Sequence, residues 1–525
     1  MTSSGPELPQ RILPGDTAAA LHGVQASRAI ESSAQAQNPP HALMQRAGTA
    51  VARLALALAP HARRVWVACG PGNNGGDGLV AAQWLRRAEL SVHVTLHGDA
   101  TRLPDDARHA LAAAQAEGLQ LSPAPPDAPA DLVIDALLGL GASRAPTGAI
   151  AEAIEAIERR QAPVVLAVDL PSGLQADSGR RLGAAVCATH TLSLLTLKPG
   201  LFTADGRDLC GQIWLDRLGV EIDAEASVLL SGAEALKPLR PRAHASHKGS
   251  FGDLVVIGGA PGMAGAALLA GRAALAAGAG RVFVSSLDPA AMPLDALQPE
   301  LMFRPQWWRS GPEVLARSTV VCGCGGGDAV REVLPALLSR SPRLLLDADA
   351  LNAVARDTGL RALLRTRAPR GLATALTPHP LEAARLLGCD AAQVQADRLA
   401  AVRTLAEQLC CAVLLKGSGS LMATPGGPTL LNPTGNALLA AGGTGDVLAG
   451  WVGGLWAQLA PEHGDTPAAA LALQAAAWLH GRAADSVLAA APGSLALRAG
   501  ELSERMRAVA AAYERGARRG SAAEG

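Results

Sequence analysis

The chain is poor in aromatic residues: its 525 residues include one Tyr, four Phe and eight Trp. Proteins that hold single-stranded nucleic acid stack its bases on aromatic side chains, so this scarcity argues against such a platform. An excess of either charge is also lacking, because 46 Lys and Arg balance 46 Asp and Glu. With a formal net charge of zero, no global field attracts nucleic acid or a membrane surface. We therefore expect neither as a partner.

Long apolar runs are missing as well. The richest apolar stretch contains Asp446 and several glycines and is too short to span a bilayer. Residues 1–10 lack the basic segment and apolar core of a secretory signal. These features predict a cytoplasmic protein.

The eight cysteines do not form a disulfide framework at this chain length. Cys322 and Cys324 lie close in sequence, as do Cys410 and Cys411, but no CxxC pair or matching His spacing accompanies them. We expect buried structural thiols. Metal-dependent redox chemistry at Cys322 and Cys324 is an alternative with little support.

Two domains are expected from a chain of 525 residues. Short apolar runs alternate with alanine-rich helical stretches, and the pattern restarts after a less periodic segment at 219–247. This alternation predicts parallel sheets covered by helices on both faces. The predicted strands are Val65–Cys69, Val92–Leu96, Leu132–Asp135, Val164–Asp169, Thr191–Leu195, Leu254–Ile257, Val282–Ser285, Val320–Cys322, Leu344–Asp347 and Val413–Lys416; predicted helices include Ala42–Leu58, Leu79–Arg87 and Ile150–Arg160.

Three predicted strands of the first half end in residues that carry chemistry. They are followed by Gly70–Gly78, by Asp135 with the loop Gly139–Arg144, and by Asp169–Gly173. Parallel sheets bind ligands outside the carboxyl ends of their strands, so these ends are expected to converge on one crevice. Glycine lets backbone N–H groups approach an anion closely, and a helix starting there adds its positive dipole end. Each of these carboxylates by itself is typical of a turn or a helix cap, but their occurrence together favours a ligand-binding site.

The side chains in these loops divide into two kinds. Asn74, Asp135 and Ser172 offer neutral or anionic oxygens, which suit a hard cation. Asp169 is the better acid or base, because it ends an apolar strand and lies partly out of water.

Four motifs of this half occur in the order of a known family: Leu43–Gly48, Gly72–Gly78, Asp135–Gly139 and Val168–Gly173. Through them residues 12–220 resemble the NAD(P)H-hydrate epimerases, with Gln45 where many members have Glu. The resemblance implies a Rossmann-like epimerase domain over 12–225, with Asp169 contacting the substrate and moving protons. It implies K⁺ at Asn74, Asp135 and Ser172, and substrate binding by Asn73, Asn74, Gly75, Gly76, Asp77, Gly139, Leu140, Gly141, Ala142, Ser143, Arg144, Ala145 and Asp169.

The second half has a glycine-rich segment, Gly442–Asp446, directly before an apolar stretch. A glycine-rich helix start can bind the oxygens of a transferring phosphoryl group, and an aspartate beside it can accept the proton of an attacking hydroxyl. The alternative is that Asp446 only caps the helix. Lys416–Ser420 follows a strand and places a cation where nucleotide phosphates bind. Gly258–Gly262 lacks the lysine and hydroxyl ending of a Walker A motif, which disfavours a P-loop NTPase.

Six motifs of this half occur together: Ser246–Gly249, Asp347–Asn352, Thr377–Pro380, Lys416–Gly419, Asn432–Asn436 and Gly442–Gly450. Residues 230–515 thereby resemble the ribokinase-like NAD(P)H-hydrate dehydratases, with Leu381 where the family usually has Gly and with Glu382 retained. The resemblance implies Asp446 as the catalytic residue and bound Mg²⁺. It implies substrate contacts at Ala267, Gly325, His379 and Asp446, and adenine nucleotide contacts at Lys416, Gly417, Ser418, Gly419, Ser420 and Gly445.

Together the two resemblances imply an α/β fold class, with two three-layer α/β/α domains, and one chemistry. Water added to a reduced nicotinamide ring gives a 6-hydroxy compound, NADHX or NADPHX, in two epimers. An isomerase would interconvert them, and a lyase would use ADP or ATP to expel the hydroxyl from the S epimer, releasing AMP or ADP and phosphate. We also expect a homo-oligomer.

Two other functions stay open at this point. One is a small-molecule kinase of the thiazole or hydroxymethylpyrimidine type with an accessory first half, which would accumulate a phosphorylated product. The other makes the first half a binding scaffold, since relatives of that domain occur in RNA-associated proteins. The presence of Asn74, Asp135 and Asp169, and the lack of a basic patch, speak against the scaffold.

Overall fold

The structure is a computed structural model that describes residues 8–239 and 242–523. Within them the chain forms two compact units. The first comprises residues 19–228 together with the segment before 15, and the second comprises 15–18 and the residues from 229 onward.

The first unit alternates strands and helices along most of its length. Its strands are β1 (Gln10–Arg11), β2 (Ala19–Leu21), β3 (Arg64–Cys69), β4 (Ser91–Leu96), β5 (Leu121–Ser122), β6 (Leu132–Ala136), β7 (Val164–Val168), β8 (His190–Leu194) and β9 (Gln212–Asp216). Its helices are α1 (Val24–Gln37), α2 (Ala42–Leu58), α3 (Asn73–Arg87), α4 (Asp105–Ala116), α5 (Ala149–Arg160) and α6 (Gly206–Leu209), with 3₁₀ turns at Ala100–Arg102 and Pro199–Leu201.

The sheet of this unit runs in the order β1-β9-β8-β7-β6-β3-β4-β5. All neighbouring pairs from β9 to β5 are parallel, and β1 joins the edge antiparallel. The chain runs outward from β3 to β5, then returns to β6 and continues in the other direction. This is the doubly wound Rossmann order, in which the loops after β3 and β6 diverge and leave a crevice.

Helices cover both faces of this sheet. Alternate side chains of β3 enter two separate cores: Val65, Val67 and Cys69 pack with α2, α3 and α4, whereas Trp66 and Ala68 pack with α5. A strand buried on both faces reads as a continuous apolar run, which explains why the run was recognisable in the sequence.

The second unit is built in the same way. Its strands are β10 (Val228–Leu230), β11 (Asp253–Gly258), β12 (Arg281–Ser286), β13 (Met302–Phe303), β14 (Ser318–Cys322), β15 (Arg343–Leu346), β16 (Ala373–Leu376), β17 (Ala412–Leu415), β18 (Ser420–Ala423) and β19 (Thr429–Asn432). Its helices are α7 (Ala264–Ala277), α8 (Pro312–Ala316), α9 (Val330–Arg340), α10 (Ala348–Arg356), α11 (Thr358–Arg365), α12 (Pro380–Leu387), α13 (Ala391–Ala396), α14 (Arg398–Leu409), α15 (Thr444–His463), α16 (Asp465–Ala490) and α17 (Ala499–Ala523), with 3₁₀ turns at Ala233–Leu236, Lys248–Phe251, Trp307–Arg309, Ala368–Arg370 and Ala437–Leu439.

Its sheet follows the order β13-β12-β11-β14-β15-β16-β17-β18-β19-β10. The pairs from β13 to β17 are parallel, and β18 and β19 extend the sheet antiparallel. Alanine-rich helices α7, α15 and α16 pack closely on one face around buried Trp451 and Trp456.

The predicted α/β architecture is confirmed, and each predicted strand matches an observed one within two residues. The larger difference is at α3, which begins at Asn73 rather than Leu79, so the glycine motif forms the first turn of the helix. All eight cysteines are free. None of the helices in the described residues is long and apolar enough to cross a bilayer.

Candidate active sites

The first unit contains a cavity of about 670 Å³ at the point where the loops after β3 and β6 diverge. Loop residues from both strands line it, including Asn73, Asn74 and the whole segment Gly139–Ala145. Asp77 and Asp169 also line it. The structure thus brings the predicted substrate-binding residues to one crevice, except that Gly75 and Gly76 are buried behind its wall.

Glycine is required at this wall for a steric reason. A Cβ on Gly75 would lie 2.0 Å from the carbonyl oxygen of Gly70, so no side chain fits there. The first turn of α3 can therefore pack directly on the loop that leaves β3. The first N–H groups of an α-helix have no partner within the helix, and Asn73 and Asn74 at the start of α3 line the crevice, so the positive end of the helix dipole lies at its wall.

The predicted cation ligands form one hydrogen-bonded oxygen cluster. Ser172 donates from Oγ to Asp135 Oδ1 at 2.6 Å and from its N–H to Oδ2 at 2.8 Å. Asn74 Nδ2 donates to the Leu138 carbonyl oxygen at 3.1 Å, and the Leu138 N–H donates to Ser172 Oγ at 2.8 Å. Complete burial raises the pKa of Asp135 to about 6. A buried carboxylate among neutral oxygens is an environment that a cation would stabilise.

Asp169 lies directly after β7 with φ of +66°, a backbone conformation that residues other than glycine rarely adopt. Its carboxylate forms a buried ion pair with Lys198, which also donates to the Leu194 carbonyl oxygen at 2.8 Å. The Leu194 N–H donates to Asp169 Oδ1 at 3.1 Å. Strained backbone and a fixed carboxylate are typical of catalytic positions.

Sequence reasoning missed several residues of this cavity. Lys198 lies four residues beyond the end of β8, so the rule that ligands bind at strand ends would have found it. Arg28 and Glu31 lie on α1, whose sequence gives no sign of a site.

Burial and the neighbouring Asp169 and Glu31 raise the pKa of Asp77 well above its usual range.

In the second unit four neighbouring strands carry their functional residues to one edge of the sheet. Asp347 N–H donates to the Cys322 carbonyl oxygen at 3.0 Å, which ties the ends of β14 and β15 together. Lys416 N–H donates to the Pro378 carbonyl oxygen at 2.8 Å and ties the end of β17 to the loop after β16. Gly323 has φ of +119° and would place a Cβ 2.0 Å from the Asp347 carbonyl oxygen, so only glycine fits between these loops.

Asp446 lies in the first turn of α15, facing this edge. Its carboxylate lies with Cys324 Sγ and an Asp347 carboxylate oxygen in a cluster whose three atoms are all within 4.8 Å of one another. Burial, and then the charge of Asp347, raise the pKa of Asp446 to about 6. This carboxylate is charged at neutral pH but binds a proton more readily than an exposed aspartate, which suits a general base.

Lys416 supplies the positive charge of this site. Its Nζ donates to Asp347 Oδ1 at 2.7 Å, and a Cβ on Gly445 would lie 3.6 Å from the same Nζ. The ammonium group and the N-terminus of α15 thus face the same space, which is a favourable place for phosphate oxygens. The segment Gly417–Ser420 continues from Lys416 into β18.

His379 begins α12 with a capping box. Its N–H donates to Glu382 Oε2 at 2.8 Å, and its Nδ1 accepts from the Leu381 N–H at 3.1 Å. Leu381 continues the helix, and its side chain is exposed. The residue that replaces the family's usual glycine therefore fits without strain.

Glu382→Gln is expected to stabilise the second unit at alkaline pH. Burial raises the pKa of Glu382 to about 7 from an ordinary 4.5, so the folded state binds this proton more tightly than the unfolded chain. The stability it contributes is complete below about pH 4.5 and is lost as the pH rises through about 7. The amide still accepts the capping hydrogen bond, so calorimetry at pH 8 should show a gain of at most about 3 kcal/mol, and none at pH 4. The exposed Glu313→Gln is the matched control, and an equal gain at both pH values contradicts the prediction.

The remaining motif residues differ in their placement. Gly325 and Ala267, two predicted substrate contacts, lie close to the loop after β14 that contains Cys324. The Gly325 carbonyl oxygen accepts from the Ala260 N–H at 2.7 Å, and Ala267, in the first turns of α7, lies against Gly259. Ser246–Gly249 precedes β11 and lies at the opposite, amino end of that strand. Asn432–Asn436 anchors α16, with Gly435 N–H and Asn436 Nδ2 both donating to Asp485. These two motifs contribute to the framework.

The fold and both sites define a two-unit α/β enzyme, with an oxygen-rich crevice in one unit and a helix terminus facing a lysine and an aspartate in the other. Residues 40–200 match the family model described as YjeF-related protein N-terminus, and residues 254–507 match NAD(P)H-hydrate dehydratase.

Relatives of the whole chain share both regions. The chain is 37% identical over 470 residues to the bifunctional NAD(P)H-hydrate repair enzyme Nnr of Escherichia coli, covering 88% of this chain and 87% of that protein. It is 36% identical over 501 residues to the bifunctional NAD(P)H-hydrate repair enzyme of Leishmania major, covering 88% of each. The chain belongs to the family of bifunctional NAD(P)H-hydrate repair enzymes.

Solved structures are also similar to part of the chain. An ADP/ATP-dependent NAD(P)H-hydrate dehydratase of Bacillus subtilis, co-crystallized with ATP and Mg²⁺, is 28% identical, with 53% of this chain and 96% of that chain covered and a TM-score of 0.44. A ribokinase-like superfamily protein from Enterococcus faecalis is 22% identical, with 56% and 99% covered and a TM-score of 0.45.

Proposed function

We propose that the first unit interconverts the epimers of NADHX and NADPHX in its cavity, and that the second unit dehydrates the S epimer with ADP or ATP. The convergence of Asp446, Lys416 and the N-terminus of α15 on one space supports the second step. The buried pair of Asp169 and Lys198 in the cavity wall supports the first.

Dehydration needs a better leaving group than hydroxide. Asp446 takes the proton of the ring hydroxyl as its oxygen attacks the terminal phosphoryl group of the nucleotide. Lys416 and the N–H groups of α15 stabilise the charge on that group, which is the main protein contribution to phosphoryl transfer. The C–O bond to the ring then breaks, phosphate leaves with the bonding electrons, and loss of the C5 proton restores the double bond of NAD(P)H.

Epimerisation requires the configuration at the hydroxyl-bearing carbon to be lost and regained. Asp169, held by Lys198, takes the proton of the ring hydroxyl as the bond from that carbon to the ring nitrogen breaks, which leaves an aldehyde and an amine that takes up the proton. The amine then closes on the other face of the aldehyde and the proton returns to its oxygen, while Asp77 lines the same cavity. The loop Gly139–Ala145 and the first turn of α3 bind the phosphates. Both epimers can then be repaired, because the R epimer is converted into the S epimer that the second unit dehydrates.

Two cations fit the donor atoms present. K⁺ would be held by the oxygens of Asn74, Asp135 and Ser172, where it would neutralise the buried Asp135 carboxylate. Mg²⁺ would be held by the carboxylates of Asp347 and Asp349, which lie at the end of β15 and in the first turn of α10. When bound, Mg²⁺ offsets charge on the nucleotide phosphates.

The direct test incubates the purified chain with mixed NADHX epimers and either ADP or ATP. We expect both epimers to disappear, free phosphate to be released in equal amount to NADH, and the S epimer alone to be consumed within the first turnovers. A phosphorylated ring product that accumulates instead would identify a kinase and contradict the proposal.

A second arm of the same assay omits the nucleotide and replaces K⁺ with tetramethylammonium, which is too large for the oxygen cluster. Interconversion of the epimers should slow in tetramethylammonium and recover when K⁺ is restored. Equal rates in both salts would show that the cluster holds no functional cation.

A further inference from the structure

Cys324 places a sulfur atom inside the proposed phosphoryl-transfer site. Its side chain is completely buried, and its Sγ forms the three-atom cluster with the carboxylates of Asp347 and Asp446. The three residues come from different elements: the loop after β14, the start of α10, and the first turn of α15. Their convergence is a property of the tertiary structure.

The cluster has the donor atoms and the dimensions of a three-ligand metal site. Ligand atoms around a tetrahedral Zn²⁺, at about 2.0–2.3 Å from the ion, lie about 3.5 Å apart. The three atoms here are within 4.8 Å of one another, so small side-chain rotations would complete the shell and leave a fourth position open. Sulfur selects a thiophilic cation, because Mg²⁺ prefers oxygen alone.

The charge of the surroundings supports a cation. The negative charges of Asp446 and Asp347 both act on the Cys324 thiol, Asp349 adds negative charge beside Asp446, and Lys416 supplies the opposing positive charge. A bound dication would neutralise this excess in a buried environment, where it is most costly. It would also occupy the carboxylate that the proposed reaction needs as its base.

We propose that Cys324, Asp347 and Asp446 bind one thiophilic divalent cation such as Zn²⁺, and that its binding switches dehydration off while epimerisation continues. The cation displaces the thiol proton to solvent, coordinates the thiolate and both carboxylates, and leaves Asp446 unable to accept a proton. The inhibitory effect rests on the proposed role of Asp446, whereas the binding does not.

The test uses Co²⁺ and Zn²⁺ on the metal-free full chain. One equivalent of Co²⁺ should produce the thiolate-to-cobalt charge-transfer absorption, and Zn²⁺ should abolish it. Cys324→Ser and Cys324→Ala should each lose this absorption. Cys410→Ser and Cys389→Ser, which remove the exposed and half-buried thiols of the same unit, should retain it. Absorption that persists in both Cys324 variants overturns the site.

Inhibition is then measured with Mg²⁺ present, against each variant's own rate without Zn²⁺. The Zn²⁺ concentration that halves dehydration should rise at least about 100-fold in both Cys324 variants, beyond the 10–100-fold loss caused by removing an outer-shell partner. Epimerisation should be unaffected by Zn²⁺ in every variant. Co²⁺ or Zn²⁺ binding by a chain that shows no dehydration activity when it is supplied with Mg²⁺ and no Zn²⁺ would overturn the proposed function and leave the site standing. Equal Zn²⁺ sensitivity in all variants would overturn the inference alone.

Discussion

Asp446→Asn is expected to slow nucleotide-dependent recovery of NAD(P)H by about 10²–10⁴-fold, the usual contribution of a general base. The amide has the same shape as the carboxylate but cannot accept the hydroxyl proton. Because Lys416 and the N-terminus of α15 remain, nucleotide binding should change little. The measurement is the near-ultraviolet absorbance of the reduced nicotinamide ring, with R and S epimers resolved by chromatography.

The control for this substitution is the exposed Asp328→Asn in the same unit, which should dehydrate at the unmodified rate. Epimerisation should be unchanged in both variants, because its residues belong to the other unit. Normal dehydration by Asp446→Asn would remove the proposed base and, with it, the proposed mechanism of the second unit.

Asp169→Asn has the other large expected effect, in the first unit. Epimerisation should fall by about 10²–10⁴-fold, so that only the S epimer is repaired and the R epimer persists. The substitution also leaves the Lys198 ammonium, which is 2% exposed, without its charged partner. Breaking a buried ion pair from one side costs about 3–5 kcal/mol, so the melting transition of this unit should drop as well.

A double variant separates the two consequences. Asp169→Asn with Lys198→Met removes both charges, and the melting temperature should recover because no buried charge is left unpaired. Epimerisation should stay lost. If it returns with stability, Asp169 has only a structural role and the assignment fails.

The fold class could be predicted from the sequence because strands buried in a parallel sheet are continuous apolar runs. Val65–Cys69 and Val413–Leu415 were recognisable on that basis, and the polar residues after them were placed correctly at strand ends. The start of α3 was misjudged because Asn73–Gly78 has glycines that ordinarily weaken a helix. Tertiary packing overrides that tendency, since Gly75 must be small where α3 meets the Gly70 carbonyl.

Lys198 and Cys324 show why parts of the sites stayed hidden. Lys198 follows the end of β8, which makes it a candidate, but neither a single lysine nor a single cysteine has a spacing that identifies its partner, and a cysteine is more often a buried apolar residue. Their roles depend on residues that are distant in sequence. Lys198 forms an ion pair with Asp169, and Cys324 lies in a cluster with Asp347 and Asp446.

The amino-acid sequence alone determined the two α/β units, the glycine-rich start of α15 and the candidate acids, because short stretches of chain set the local periodicity and the backbone conformation. Only the tertiary structure decided which carboxylate is paired with a cation, which carboxylates crowd one another, and which loops share an edge. Electrostatic interactions act through space, so proton affinity and metal selectivity depend on distances of a few ångströms between residues that the sequence keeps far apart.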